Sequence, residues 1–228
     1  MKEVLRFLRE LEENNNREWF EANKQRYLSA KQKVDTLAVN LVEAIRSFDS
    51  SIDPLSPRDC TWRIYRDVRF SKDKNPYKTQ MGVFVARGGK KSGFSGYYFQ
   101  IGAKGPGNML ASGNYFCVPQ VLKLLREDIV LGEGDFRRTV ETADPRMVLD
   151  TESSLKKVPA GFPADSPDAE YLKLRNYCLF WAPDDSFVIA PHLVERLADI
   201  FKTTKPFLDY TNRAIEYAKE ELGVNVLW

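Results

Sequence analysis

Helical and strand periodicities do not alternate along this 228-residue chain. They come in blocks, and that segregation limits the folds open to it. Val4, Phe7, Leu8 and Leu11 recur at helical spacing and predict a short amphipathic helix over residues 3–13. Asn14-Asn15-Asn16 ends it, and Asn15 with Glu18 has the spacing of a capping box. A second helix then carries Trp19, Phe20, Asn23 and Tyr27, and a third, with Val34, Leu37, Ala38, Leu41, Val42 and Ile45 inward, reaches roughly to Phe48. After the irregular SSIDPLSPRD come strand formers: MGVFVAR over residues 81–87 and YYFQIGA from Tyr97. The GGKKSGFSG between them predicts an antiparallel hairpin with a mobile basic tip, from which Lys90 and Lys91 could reach an anion. GAKGPGNMLASGNYF follows and lacks the spacing of a P-loop or a dinucleotide fingerprint. Pro119 opens a helix with Val121, Leu122, Leu125 and Ile129 inward, and a short helix is expected around Phe136. Residues 144–168 read as irregular and Tyr177 to Trp181 as a short strand. Pro191 and Pro206 are expected to open two last helices, the second capped by Gly223. Segregated runs mean α+β. The expectation is a single domain over 1–228, helical over 1–50, sheet-rich over 58–117 and mostly helical over 118–228. Its twisted, mainly antiparallel sheet of about four to six strands is packed by helices.

The chemistry concentrates in WRIYRDVRFSKDKNPYK, residues 62–78. Six cations, Arg63, Arg66, Arg69, Lys72, Lys74 and Lys78, stand against Asp67 and Asp73, with Tyr65, Phe70 and Tyr77 interleaved. Alternation from Trp62 to Phe70 predicts a strand of the sheet, with Trp62, Ile64, Val68 and Phe70 on an apolar face. Arg63, Tyr65, Asp67 and Arg69 take the polar face. Arg66 falls in the apolar row, so it is expected to be buried and to require a carboxylate or carbonyl partners. SKDKNPYK cannot continue a strand, because Ser71, Asp73 and Asn75 favour turns and Pro76 holds Asn75 extended. Arg63, Arg69, Lys72, Lys74 and Lys78 are therefore the candidate anion-binding set, converging where the strand exits into its turn. Arg66, Asp67, Asp73, Asn23 and Tyr77 are candidate structural and orienting residues. Asp67 sits between two arginines, and Asn23, a polar group on a packed helical face, is expected to bind backbone of this motif.

The net charge of +2 excludes bulk attraction to polyanions, but its distribution is uneven. From Arg58 to Lys91 ten Lys/Arg face three Asp/Glu, a local +7 that leaves −5 on the remainder. Such a segment suits recognition of a phosphate- or carboxylate-bearing ligand in a basic pocket. Three rival readings use the same residues. An internal ion-pair network would make the motif structural or part of a protein contact. Basic residues with Tyr65, Phe70, Tyr77, Tyr97, Tyr98 and Phe99 could grip nucleic acid. Asp67 and Asp73 could hold Mg²⁺ against a phosphorylated substrate, although flanking cations compete for both. A Cys–His nucleophile rests on residue type alone, and no CxxC pair or second histidine suggests a zinc site. Cys60, Cys117 and Cys178 are odd in number and far apart, which fits a reducing cytosol. The first residues are unlike a signal peptide, and no run approaches the length of a membrane span. Cofactor and reaction are not legible.

Two blocks carry a family resemblance. RDxRFSxDKxPYK stands at Arg66 to Lys78, and NNxREWFxxNKxxY runs from the Asn14/Asn15 pair through Trp19, Phe20, Asn23 and Lys24 to Tyr27. With a KxxPAGF-like segment at Lys156 to Phe162, the chain resembles, over nearly its whole length, the bacterial and fungal domain of unknown function 2461 (DUF2461). The resemblance transfers no catalytic residues. The chain departs from the family pattern at Ala111-Ser112-Gly113, where a Gly-rich triplet is expected, and at Asp165-Ser166-Pro167, where a His is common.

Overall fold

A computed structural model describes residues 1–103, 107–115 and 117–224. Lys104 to Pro106 and Phe116, inside the glycine-rich run after the second predicted strand, lie outside the described residues. Among those described, nine helices and five strands form. They are α1 (Lys2–Glu13), α2 (Arg17–Ala22), α3 (Lys24–Arg46), α4 (Pro57–Cys60), β1 (Gln80–Val85), β2 (Gly96–Gly102), β3 (Met109–Asn114), α5 (Pro119–Leu131), α6 (Asp135–Glu141), β4 (Val148–Leu149), α7 (Ala169–Leu172), β5 (Tyr177–Trp181), α8 (Asp185–Ile189) and α9 (Leu193–Glu220). The strands form one open sheet in the order β1-β2-β3-β5-β4, every pair antiparallel. The α+β class and the antiparallel sheet expected from the blocks are present. No helix among the described residues is long and apolar enough to cross a membrane.

Helix α1 follows its pattern, burying Val4, Leu5, Phe7, Leu8 and Leu11. The second and third predicted helices break elsewhere than expected. Asn16, not Asn15, caps α2, its side chain accepting from the Trp19 amide at 2.9 Å. The chain bends at Asn23, and α3 then runs unbroken through Tyr27 and Val34. Likewise α9 does not stop for Pro206. That residue and Lys202, the carbonyl it cannot serve, are both exposed, so the lost bond faces solvent. Phe201, Thr204, Phe207 and Leu208, buried on the other side, hold the helix on its path. Gly223 takes a left-handed φ of 60° just past the helix end, and the Val224 amide returns to the Ala218 carbonyl at 2.9 Å.

The core is one contiguous cluster running from Val4 to Ala218. Helices α1, α3 and α9 pack on one face of the sheet. Successive strand residues point to opposite faces, so this packing buries Val83, Val85, Tyr97, Phe99, Ile101, Leu110, Tyr177 and Leu179. Two buried polar pairs join α9 to β3 and to the residue before β2: Thr204 to Ser112 at 2.8 Å and Thr211 to Ser95 at 2.9 Å. Strand β3 was not legible as one. Its Gly113 has φ 139°, and a Cβ there would lie 2.2 Å from the Tyr177 carbonyl oxygen, so glycine is what lets β3 and β5 approach.

Candidate functional site: a cleft on the second face of the sheet

The other face of the same strands is the floor of a cleft of about 600 Å³. Phe84, Tyr98, Ala111 and Phe180 stand side by side in register across β1, β2, β3 and β5. Small residues flank this row: Gly82, Gly96 and Gly113 also line the cleft. A Cβ on Gly82 would lie 2.6 Å from the Tyr98 hydroxyl, so the Tyr98 side chain reaches over that glycine. The period-2 apolar and glycine pattern of the strands thus makes a shallow aromatic bed.

Cations gather at the β1 end. Residues 61–66 run antiparallel to 76–83 without forming a regular strand. Thr61 bridges Val83 and Tyr65 bridges Tyr77, so four residue steps face six. Between them the Lys78 amide donates to the Ile64 carbonyl at 2.8 Å, and the Arg66 amide to the Pro76 carbonyl at 2.9 Å. Such a bulge re-aims side chains. The expected strand over 62–70 is therefore corrected to an irregular edge that ends near Arg66. Ile64 goes into the core, Trp62 remains 46% exposed and Phe70 is 95% exposed, so the predicted apolar face does not exist. Trp62, Arg63, Ile64 and Lys78 instead line the cleft. The Trp62 ring lies 6.4 Å from Phe84 and 6.1 Å from Tyr98, extending the aromatic bed onto the wall.

The rest of that wall comes from α3 and from the β1–β2 connection. Tyr27, Lys31, Val34 and Asp35 share one face of α3. Lys31 pairs with Asp35 Oδ2, while Asp35 Oδ1 is buried with no hydrogen-bond partner among the described residues. The connection is not the free tip its composition suggests. The Lys90 amide donates to the Asp59 carbonyl at 2.9 Å, its Nζ to the Arg58 carbonyl, and the Ser95 amide to Asn212 at 2.8 Å. Held there, Lys90 lines the cleft with its Nζ 5.9 Å from the Trp62 ring, whereas Lys91 is exposed and does not line it. Across the sheet, beyond β4, Asp150 and Glu152 form the other rim.

The predicted cations separate into two groups. Arg63 and Lys78 line the cleft; Arg69, Lys72 and Lys74 do not. Arg69 is committed to Asp67, with Nε 3.0 Å from Oδ1 and Nη2 2.6 Å from Oδ2, and this contact holds the Asp67 carboxyl below its usual range. Lys74 donates to the Val68 carbonyl at 3.1 Å, and Lys72 is exposed. Arg66 donates to Asp73 at 2.5 Å and to the Asn75 carbonyl at 3.1 Å, so it has the partners expected. The Asn75 amide and Arg66 together lower the Asp73 carboxyl. Burial of Arg66 is only partial, its side chain 26% exposed, because the turn folds beside it rather than over it. A buried arginine does exist, but it is Arg126 of α5, satisfied by the carbonyls of Leu172 at 2.8 Å and Leu174 at 2.9 Å.

The motif's anchor is also a different asparagine from the one expected. Asn23 donates to the Trp19 carbonyl at 2.9 Å and accepts from Arg26, all within its own helices. Asn15 is the residue that binds motif backbone: its Nδ2 donates to the Tyr77 carbonyl at 3.0 Å and its Oδ1 accepts the Tyr77 amide at 3.1 Å. Tyr77 is buried and stacks on Phe20, ring centroids 3.9 Å apart and 13° from parallel. The two sequence blocks that carry the resemblance are thus one packed unit, which fixes the position from which Lys78 enters the cleft.

Electrostatically this end is unbalanced. Burial, and then the nearby Arg63 charge, lower the Lys78 ammonium below its usual range. Burial also lowers Lys90, despite the opposing pull of Asp59. Among the described residues neither Arg63 nor Lys78 makes an ion pair with a protein carboxylate, whereas Lys31, Arg66 and Arg69 each do. Other candidate chemistry is not assembled. Burial pushes the thiols of Cys60 up to about 11 and of Cys117 and Cys178 up to about 12. His192 is exposed at the start of α9 with a φ of 57°. Among the described residues no group of three potential metal-ligating side chains comes together. Sequence reasoning missed the cleft floor; of Lys90 and Lys91, offered together as reaching an anion, Lys90 lines the cleft and Lys91 does not. The period-2 spacing of Gly82 with Phe84 and of Gly96 with Tyr98 held the signal, but only strand register joins those pairs into one surface.

These features define an α+β protein whose open antiparallel sheet is covered by helices on one face and bears an aromatic, cation-rimmed cleft on the other. A family model described as "Conserved hypothetical protein (DUF2461)" matches residues 3–210, and the chain belongs to that family. Comparison with curated proteins and with solved structures gave no match.

Proposed function

We propose that the cleft binds a small ligand with an apolar or aromatic body and one carboxylate or phosphate group. The body lies on Phe84, Tyr98 and Phe180, and the anion sits at Arg63 and Lys78. One observation carries this reading: two neighbouring cations, without carboxylate ion pairs among the described residues, face a mainly apolar cleft of about 600 Å³. That size is in the range of small-molecule sites, and an anion there gains charge-assisted bonds in partly desolvated surroundings. A structural role is the better reading for the other half of the motif, where Arg66 with Asp73 and Arg69 with Asp67 are internally paired. Nucleic-acid stacking is less favoured, since Tyr97 and Phe99 are buried on the helix-covered face, away from Phe70 and Tyr65. The unpaired cysteines suit a reducing, cytoplasmic setting.

Thermal denaturation with benzoate, phenylacetate, phenyl phosphate and inorganic phosphate tests the proposal. A ligand at a hundred times its Kd stabilises the native state by about 2.7 kcal/mol. At least one aromatic anion should raise the Tm, and Arg63→Ala with Lys78→Ala should abolish the rise. Arg69→Ala with Lys74→Ala should leave it intact. No response to any anion, or loss with the second pair rather than the first, would sink the assignment.

A further inference from the structure

We propose that Lys78 is a nucleophilic amine that captures an oxo acid, with Arg63 holding the acid's carboxylate and the aromatic bed holding its apolar body. This rests on the ligand class proposed above and adds a reaction to it. A lysine becomes a nucleophile when it is free of a carboxylate partner, partly desolvated, and set beside a second cation. Lys78 meets all three conditions. It lines the apolar cleft, it makes no ion pair among the described residues, and the charge of Arg63 acts on it. Lys31, also in the cleft, is bound to Asp35, and Lys90 is engaged with the Arg58 carbonyl. Among the described residues Lys78 is therefore the amine in the cleft without a fixed acceptor. Its backbone is held in place, because its amide is bonded to the Ile64 carbonyl and the preceding Tyr77 is clamped between Asn15 and Phe20.

The step needs no other reactant. The neutral amine nitrogen attacks the carbonyl carbon; an N–C bond forms as the C–O π bond opens to a carbinolamine. The carbonyl oxygen then leaves with both amine hydrogens as water, giving the imine. The remaining charged or titratable groups around the cleft are Lys90, the Lys31–Asp35 pair, Tyr27, Tyr98, Tyr115 and the Cys178 thiol, with Asp150 and Glu152 on the far rim. The depressed titration of Lys78 supports the availability of the neutral amine.

The test is reductive trapping of the full chain with phenylpyruvate and cyanoborohydride, followed by intact-mass measurement and peptide mapping. One adduct is expected, on Lys78, formed at least tenfold faster than on exposed Lys72 or Lys91. Arg63→Ala should slow it by a comparable factor, and Lys78→Arg should remove it with the Tm retained. Mapping on the unaltered chain locates the adduct even if a variant fails to fold. Phenyllactate, which has the carboxylate but no carbonyl, separates the two proposals by thermal shift. If phenyllactate raises the Tm but Lys78 is not labelled preferentially, anion binding stands and imine formation is overturned. If neither ligand engages the cleft, both fall. Labelling spread over lysines in proportion to exposure also overturns the imine.

Discussion

At the residue scale, the motif's placement depends on a few polar contacts that stand far apart in sequence. Asn15 satisfies both backbone groups of Tyr77. Asn15→Ala leaves those groups without partners in a part-buried position and should cost about 1–3 kcal/mol, measured by urea unfolding. Arg66→Ala should cost less than Asn15→Ala, because its pair with Asp73 is part-exposed and screened. The reverse order would mean that the turn, not the asparagine, holds the motif. Lys78 makes a pH prediction. Burial and Arg63 set its titration in the folded chain below its ordinary 10.5. Between those two values the unfolded chain binds more protons than the folded one, so stability rises with pH across that window. Below the folded value the penalty is present in full. Unfolding free energies from neutral pH to pH 10.5 should therefore climb more steeply in the unaltered chain than in Lys78→Met; parallel curves would contradict the shift.

At the element scale, periodic segments were legible where one face is buried and local chemistry agrees with it. Helix α1, strands β1, β2 and β5, and helix α5 all read from spacing. Failures came where tertiary packing overrode a local signal. Pro206 announces a helix start but lies within α9, because both it and the carbonyl it cannot serve face water. Pro206→Ala should restore that bond and remove a ring clash, raising stability by about 1–3 kcal/mol, read as a higher urea midpoint with an unchanged slope. A fall in stability would show that α9 gains more from the proline's restricted backbone than it loses with the missing bond. Conversely, residues 62–70 alternate as a strand does yet form none, since a bulge between the Thr61 and Tyr65 bridges destroys the period. The candidate site was half legible for the same reason. Arg63 and Lys78 could be picked by charge, but separating them from Arg69, Lys72 and Lys74 required knowing that Arg69 pairs with Asp67, that Lys74 turns back to the Val68 carbonyl and that Lys72 stands exposed.

At the scale of the whole molecule, the sheet is what joins fold and site. One face supplies the core, the other supplies the cleft, and the same alternation of side chains builds both. The sheet's edges are also blunted. Residues 61–66 run along β1 irregularly, and β4 has only two residues. Neither edge offers a long flat row of unpaired backbone groups, the feature that invites strand addition by another chain. The excess of positive charge counted between Arg58 and Lys91 divides in three dimensions: part is neutralised inside the turn, and part, with Lys90, gives the cleft one cationic end opposite the acidic rim at Asp150 and Glu152.

The state of the three thiols has a practical consequence for anyone who wants to watch this molecule move. Cys60 and Cys178 are buried and Cys117 is partly so, and all three titrate far above neutrality. Thiolates, not thiols, react with maleimides, so the native chain is close to a silent background for fluorophore or spin-label attachment. A cysteine placed at Phe70, the side chain that stands 95% in solvent at the crest of the turn, would then carry a single probe. Such a label would report in real time whether the surroundings of the turn change when an anion arrives in the cleft beside it.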